Sequence, residues 1–239
     1  AKYSRKTEES ILAKAQRPSI LAKNPNHPCH HYRIHLWDYK DAKRALPSVG
    51  LCGQAAPGIA HMWHMPSHIL SRLKRYHDAS WQQEASARVD HAHMMRDRVM
   101  PDRIHNFAHN NEWLTRNLSH AGRVNRALAM AKNMIELPRL PNVKDDGTWS
   151  FSSRSSHTYG RRHLYGLLTN YELWDTVLAL KDTQYRRPSS SAADRANDGA
   201  DPRVCLVQLL HGRVCQRVQR NVARAQRRRE WVAAQREHC

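Results

Sequence analysis

The sequence predicts an all-α protein in which antiparallel helix pairs stack into a right-handed superhelical solenoid. Small residues recur at a fixed interval, because Ala45 and Ala79 lie 34 residues apart in similar helical patterns. Only 40% of the 239 residues are hydrophobic and only two are phenylalanine. That composition disfavours one large core but suits units that bury their apolar faces against their neighbours. The sequence contains no run of 18 apolar residues, so no membrane span is predicted.

The interval of 34 residues is the period of tetratricopeptide repeats, in which each unit is a helix–turn–helix. With Ala45 and Ala79 at position 20 of such a repeat, Pro57 falls at position 32, where the repeat expects proline. A further unit carries Gly122 at its turn and Ala127 at position 20. The prediction is a tetratricopeptide-like helical-repeat array over residues 1–185, with units at about 26–59, 60–93 and 108–141 and a degenerate unit at 155–186.

The segments outside these units differ in composition. Ahead of the first unit only a second helix remains, at Glu8–Ala22, so we expect the chain to be a piece of a longer protein. Insertions at 94–107 and 142–154 interrupt the array. Residues 186–202 are rich in Ser, Asp and Ala and predict a disordered linker. Residues 203–239 predict an Arg-rich amphipathic helix, which is either a cap on the array or non-native sequence.

The chain carries a formal net charge of +18, from 39 Lys and Arg against 21 Asp and Glu. A basic excess raises the question of nucleic acid, but here it is spread along the chain and accompanies no recognised nucleic-acid-binding module. Nucleic acid is therefore not the predicted partner. The five cysteines form no C-x-x-C motif, and we interpret Cys29 and Cys52 as small buried residues.

Several segments resemble a group of bacterial tetratricopeptide-repeat proteins. They are HPCHHYRIHLWD (27–38), PGIAHMWHMPSHIL (57–70), RYHDASWQQEA (75–85), DHAHM (90–94), IHNFAHNNEWL (104–114) and KNMIELPR (132–139). The resemblance rests most on HMPSHI and IHNFAHN, and it covers roughly residues 20–185. It implies the repeat fold and a secreted or periplasmic location. Some relatives carry a thioredoxin-like redoxin domain, but redoxin chemistry is not carried over to a chain without C-x-x-C.

Histidines recur at helical spacing, and the chain holds 17 of them. Between His61 and His68 three imidazoles stand at i, i+3 and i+7, on one face of a helix. In tetratricopeptide arrays, positions 2, 5 and 9 of each first helix face the concave groove. Six of these nine positions in the three units are histidine. The nine predicted groove positions are His27, His30, Ile34, His61, His64, His68, His109, Glu112 and Arg116.

The groove histidines are candidate metal ligands. Helices in such bundles pack about 8–10 Å apart, so imidazoles on neighbouring first helices can converge on one ion at about 2.0–2.1 Å per bond. His31 and His35 flank the groove and are second choices, whereas Met62 and Met65 are interpreted as core residues. The predicted ligands of a Cu, Zn or Fe ion are His30, His61, His64, His68 and His109. The residues predicted to orient them are Asp90, His93 and Asn110.

Two functions remain open at this point. The predicted function is a tetratricopeptide-type interaction scaffold that binds a protein or peptide partner in the groove, and the alternative, which the histidines favour, is a metal-binding or metal-dependent redox protein. The sequence contains no H-E-x-x-H motif and no Gly-rich phosphate loop, so it names no reaction, and an enzyme is not the favoured interpretation. We interpret five tryptophans as packing between helices, namely Trp37, Trp63, Trp81, Trp113 and Trp174.

Overall fold

A computed structural model describes residues 18–180 and 183–185. These residues are predominantly helical, which confirms the all-α prediction. The predicted linker at 186–202, the predicted helix at 203–239 and most of the predicted helix Glu8–Ala22 lie outside the described residues. The helices are α1 (Pro18–Lys23), α2 (Cys29–Asp38), α3 (Leu46–Ala55), α4 (Ala60–Arg72), α5 (Tyr76–Asp97), α6 (His105–His120), α7 (Val124–Glu136), α8 (Ser156–Asn170) and α9 (Trp174–Ala179), with short 3₁₀ turns at Ala42–Ala45 and Pro101–Arg103.

Helices α2 to α7 pack mainly against the helices that precede and follow them in the chain. In addition, α2 contacts α4, and α4 contacts α6. These three are the first helices of the three predicted units. The packing therefore places the helices that carry most of the histidines next to one another.

The pairs α4–α5 and α6–α7 are joined by turns of the same form. In the first, Lys74 has a φ of 59° and the Arg75 N–H donates to the Leu70 carbonyl at 2.8 Å. In the second, Gly122 has a φ of 72° and the Arg123 N–H donates to the Leu118 carbonyl at 2.9 Å. A left-handed residue followed by this hydrogen bond is the Schellman ending of a helix. Each turn reverses the chain within three residues.

An apolar core lies between α2, α3, α4 and α5. Ile34 and Ile69 have no exposed surface, and Met62 and Met65 are buried beside them. The two methionines are therefore core residues, as predicted, while the groove position predicted for Ile34 is wrong. Burial of side chains of this size stabilises the fold by about 1.5–3 kcal/mol each.

The small residues that set the predicted repeat are fully buried where helices meet. Ala45, Ala79 and Ala127 all have no exposed surface, because a larger side chain at these positions would separate the packed helices. Cys29 and Cys52 are free, buried cysteines, which confirms their interpretation. Burial raises the pKa of the Cys52 thiol to about 12.

The unit boundaries differ from the prediction around both insertions. Helix α5 continues past the predicted boundary at residue 93 and ends where Arg98 adopts a φ of 53°, and Met94 is buried within it. Helix α6 begins at His105, ahead of the predicted start at 108. The second insertion is not wholly irregular, since β1 (Asn142–Val143) pairs with β2 (Trp149–Ser150).

The described residues form two compact units. One contains the residues up to 142 together with 152–164, and the other contains 143–151 together with the described residues from 165 onward. All the side chains of the histidine clusters described below belong to the first unit. None of the described helices has both the length and the apolar character needed to cross a membrane.

Candidate metal centre

Three histidines from two neighbouring helices meet in the first unit. His64 and His68 lie one turn apart on α4, and His109 lies on α6. One ring nitrogen of each lies within 4.8 Å of the others. His64 Nε2 and His68 Nε2 are 2.8 Å apart, and the ring centroids of His64 and His109 are 4.9 Å apart. We call these three residues the first triad, and all three are predicted ligands.

Asp38, the last residue of α2, orients His68. Its side chain is 2% exposed, and its Oδ2 accepts a hydrogen bond from His68 Nδ1 at 3.0 Å. Arg72 Nε donates to the other carboxylate oxygen at 2.5 Å. Burial alone would raise the pKa of Asp38, but the hydrogen bonds from His68 and Arg72 outweigh it and lower the pKa. Because the ionised carboxylate only accepts hydrogen bonds, His68 carries a proton on Nδ1.

Gln83, on α5, orients His64. The Gln83 amide nitrogen donates to Ser67 Oγ and to the His64 carbonyl oxygen. A carbonyl can only accept, so the amide nitrogen must face it, and Gln83 Oε1 then accepts from His64 Nδ1 at 2.9 Å. Burial, followed by the neighbouring histidines, lowers the pKa of His64 to about 2. His64 is therefore a neutral ring with its proton on Nδ1.

Glu112, one turn after His109 on α6, orients His109. The distance from His109 Nδ1 to Glu112 Oε2 is 3.1 Å. Arg162 Nη1 lies 3.5 Å from the other oxygen of Glu112, and His163 Nε2 lies 3.9 Å from it. Burial would raise the pKa of Glu112, but the hydrogen bond from His109 and the neighbouring His163 lower it to about 2. Glu112 is thus a carboxylate that accepts the His109 Nδ1 proton.

The consequence of these three contacts is a common tautomer for the first triad. Each Nδ1 proton is directed at an acceptor of the chain, so the neutral form of each ring leaves the lone pair of Nε2 available for a ligand. Two lone pairs at the 2.8 Å separation of His64 and His68 repel each other unless a cation or a shared proton lies between them. Imidazoles held in this way, by carboxylate or carbonyl oxygens behind them, are the arrangement of protein metal sites.

A second group of three histidines adjoins the first. His31 and His35 lie one turn apart on α2, and His61 lies on α4. One ring nitrogen of each lies within 4.8 Å of the others, and His31 Nε2 and His35 Nε2 are 3.1 Å apart. We call these residues the second triad. The ring of His61 stacks on that of His64, with centroids 5.5 Å apart and an angle of 15° between the planes.

The histidines that α2 contributes to the clusters differ from those predicted. His30 is buried, and its two ring nitrogens pair with Ser48 Oγ at 3.0 Å and with the Pro25 carbonyl at 2.7 Å. Its predicted role as a metal ligand is therefore wrong. His27 precedes α2, and its Nδ1 accepts the Cys29 N–H at 3.1 Å; its predicted groove position stays a prediction.

The reason is the register of α2, which begins at Cys29. One residue step turns a helix by about 100°, so an error of one residue in register moves a side chain to a different face. His30 and Ile34 point into the core, and the adjacent positions His31 and His35, predicted only to flank the groove, cluster with His61 instead.

The orienting residues also differ from the prediction. Asn110 Nδ2 donates to Asp90 Oδ2 at 2.7 Å, so these buried side chains satisfy each other, and His93 pairs with Asp97 on its own helix. Asp90 lies seven residues beyond Gln83 on α5, about 10 Å further along the helix axis. The Nδ1 protons of the first triad meet Asp38, Gln83 and Glu112 instead.

Trp113 forms a wall of the first triad. Its ring stacks on His68, with centroids 4.1 Å apart and planes 19° apart, and the predicted groove residue Arg116 lies over Trp113 at 5.0 Å. The sequence predicts only a packing role for Trp113 and not this contact with His68. Trp81 of α5 packs edge-to-face against Trp63 of α4, with ring centroids 5.8 Å apart, although 60% of Trp81 is exposed.

Comparisons with models of known protein families, with curated proteins and with solved structures gave no match. The resemblance drawn from the HMPSHI and IHNFAHN motifs therefore stays a prediction. The interpretation of the two triads rests on their own geometry.

Proposed function

We propose that the chain is a metal-binding protein whose first triad holds a transition-metal ion through the Nε2 atoms of His64, His68 and His109. The observation that carries the proposal is the orientation of the three rings. Each Nδ1 atom has an acceptor within 3.1 Å, and one nitrogen of each ring lies within 4.8 Å of the others. A site whose ligands already have the right tautomer and direction loses little entropy when the ion binds.

The donor set supports Zn²⁺, Cu²⁺ or Fe²⁺, because neutral imidazole suits these ions. Two nitrogens bound at about 2.0–2.1 Å to one tetrahedral ion stand about 3.3 Å apart, so the 2.8 Å between His64 Nε2 and His68 Nε2 has to widen only slightly when an ion binds. The carboxylates of Asp38 and Glu112 add negative charge behind the ligands, which favours a cation. Arg72 and Arg162 offset part of that charge.

The number of ligands supports an ion that keeps one position for a small molecule. Three protein ligands with a fourth open position are typical of catalytic zinc, whereas structural sites have four. The side chain of His109 is 32% exposed and that of His68 is 12% exposed, so solvent reaches this side of the triad. Water or a small substrate would take the fourth position, and no reaction is assigned.

The peptide scaffold predicted from the architecture has less support. The 2.8 Å between His64 Nε2 and His68 Nε2 leaves no space for a peptide group between these rings, and Trp113 already stacks on His68. A groove that binds a protein or peptide partner stays a prediction.

We also infer that the helix pairs belong to a tetratricopeptide-like array, as in the bacterial proteins that the motifs resemble. The identical turns at Lys74 and Gly122 support this inference, and so do the contacts between α2, α4 and α6. In such an array these first helices line one concave surface, which accounts for the convergence of their histidines. The secreted or periplasmic location implied by the resemblance stays a prediction.

The first test is the metal content and affinity of the tag-free chain. We expect bound metal by elemental mass spectrometry, and tight Zn²⁺ binding by the metal-stripped protein in competition with a chelator. In His109→Ala the affinity for Zn²⁺ at the first triad should fall by more than about 100-fold. Changing a residue that only orients a ligand typically costs about 10–100-fold in metal affinity, and removing a ligand itself costs more. The variant should fold, since the His109 side chain is partly exposed.

The matched control is His77→Ala, which removes an exposed histidine from α5. It should bind Zn²⁺ like the wild type, and circular dichroism should show the same helix content in all three proteins. The proposal is wrong if a folded His109→Ala variant keeps the metal content and the affinity of the wild type.

A further inference from the structure

We propose that the second triad holds a second transition-metal ion beside the first, so that the two triads form a two-ion centre. The residues of the second triad are His31 and His35 on α2 and His61 on α4, and one ring nitrogen of each lies within 4.8 Å of the others. The pairing of two ions rests on the proposed function of the first triad, whereas the affinity of the second triad does not.

The two triads are built in the same way. Each combines two histidines at i and i+4 on one first helix with a third histidine from the next first helix. On α2 the paired Nε2 atoms are 3.1 Å apart, and on α4 they are 2.8 Å apart. The third histidine is His61 from α4 in one case and His109 from α6 in the other. The same packing of first helices therefore produces the same ligand set twice.

The rings of the second triad pack against one another. The ring centroids of His31 and His35 are 4.5 Å apart, those of His31 and His61 are 5.0 Å apart, and those of His35 and His61 are 6.0 Å apart. Three imidazoles this close can offer their nitrogens to one ion, and imidazole is a ligand that suits transition metals.

The two ions would be neighbours because His61 and His64 belong to different triads and stack on each other. Their ring centroids are 5.5 Å apart and their planes are nearly parallel. Two ions held so close repel each other, which favours a small anionic or oxygen-containing ligand shared between them. His35 is exposed, so the second ion lies nearer to solvent and should bind more weakly and exchange faster than the first.

The test is a calorimetric titration of the metal-stripped full chain with Zn²⁺, alone and in competition with a chelator. We expect two binding events of about one equivalent each. His31→Ala/His35→Ala should lose the weaker event and keep the tighter one, and His68→Ala should do the reverse. His77→Ala should keep both events. The double variant changes one partly buried and one exposed side chain of α2, so it should fold.

The distance between the ions is tested with Cu²⁺ by electron paramagnetic resonance. With two equivalents bound, the wild-type signal should be broader and weaker than the sum of the signals of the two single-site variants. A simple sum would overturn the two-ion centre.

The titration decides the second site separately. The second site is overturned if the wild type binds one ion that His31→Ala/His35→Ala retains, or if that variant still binds two. If the only bound ion is lost in that variant and kept in His68→Ala, the second site holds and the proposal for the first triad fails.

Discussion

The protonation of each imidazole is decided at the scale of single residues, by the atom that faces its Nδ1. Asp38, Gln83 and Glu112 each present an oxygen to one ring of the first triad. An oxygen that can only accept keeps a proton on Nδ1, so that Nε2 is the nitrogen that would bind the proposed ion. Changing one such atom should therefore weaken metal binding although no ligand is touched.

Asp38→Asn is the sharpest test of this role. An amide has one acceptor oxygen in place of the two that His68 and Arg72 use, so the hold on His68 is weakened and the negative charge behind it is lost. We expect the Zn²⁺ affinity of the first triad to fall by about 10–100-fold. The measurement is the dissociation constant of the tighter ion, obtained by chelator competition.

The matched control for this change is Asp78→Asn. Asp78 also pairs with an arginine, Arg75, but about half of its side chain is exposed, and an exposed pair contributes little. Its Zn²⁺ affinity should equal that of the wild type. If the wild type and Asp38→Asn bind Zn²⁺ with equal affinity, the Asp38 carboxylate does not influence metal binding through His68.

The sequence predicts the ligands of the first triad better than the residues that orient them. His64, His68 and His109 are predicted from helical spacing within short segments. Glu112 is predicted as a groove residue but not as the one that orients His109. Asp38 is 30 residues from His68, and Gln83 is 19 residues from His64. No local pattern connects such pairs, because they meet only when α2, α4 and α5 pack together.

At the scale of elements, the turns between paired helices require a left-handed residue. Lys74 and Gly122 occupy this position in two turns, with φ values of 59° and 72°, and Glu172 has a φ of 51° in a third. A side chain in this conformation costs roughly 1–2 kcal/mol, whereas glycine adopts it freely. The lysine and the glutamate are therefore strained where the glycine is not.

Lys74→Gly should raise the free energy of unfolding by about 1 kcal/mol, since the relief of strain exceeds the extra entropy of glycine in the unfolded chain. Gly122→Ala should lower it by about the same amount. A Cβ at Gly122 would meet nothing within 4 Å, so this loss measures the backbone conformation alone. The measurement is denaturant unfolding of the metal-free proteins.

Gly58→Ala provides the control for the glycine substitutions. A Cβ at this position also meets nothing within 4 Å, but its φ is not in the left-handed region, so the stability should change little. If Lys74→Gly is no more stable than the wild type, the turn at Lys74 does not store the strain that its φ value implies.

Element boundaries are less predictable than the elements themselves. The pairs around the turns at Lys74 and Gly122 follow from the 34-residue period and from Gly122. The extension of α5 to Asp97 does not, because the repeat pattern ends earlier while the chain continues to bury Met94. Tertiary burial rather than the repeat decides where this helix ends.

At the scale of the whole molecule, the histidines make folding depend on pH. His31 and His61 have pKa values of about 4, and His64 has one of about 2, all below the ordinary 6.5. In the unfolded chain these rings regain their ordinary pKa. Below pH 6.5 the unfolded state therefore binds more protons than the folded state, so acid destabilises the folded protein.

Asp90 acts in the opposite direction over a lower range. Burial raises its pKa to about 6 from the ordinary 3.8, so between these values the folded state binds the extra proton and gains stability. Between pH 6.5 and 6 the histidines therefore lower the free energy of unfolding with the least compensation from Asp90. Below about pH 4.5 the lowered pKa of Glu112 adds a further loss.

We expect the free energy of unfolding of the metal-free protein to fall as the pH drops from 7.5 to 6, with His64 alone contributing a slope that approaches about 1.4 kcal/mol per pH unit below its ordinary pKa. Denaturant unfolding at several pH values in the presence of a chelator measures it. His64→Gln should remove the contribution of His64 to this slope, which approaches about 1.4 kcal/mol per pH unit only below pH 6.5, and the comparison of slopes holds even if the substitution changes the stability at pH 7.5. His77→Gln, a change at an exposed histidine, should leave the slope unchanged.

A wild-type free energy of unfolding that stays constant from pH 7.5 to 6 would contradict this prediction. It would mean that the folded protein accommodates protonated imidazoles, and the convergence of neutral rings on one ion would lose its physical basis.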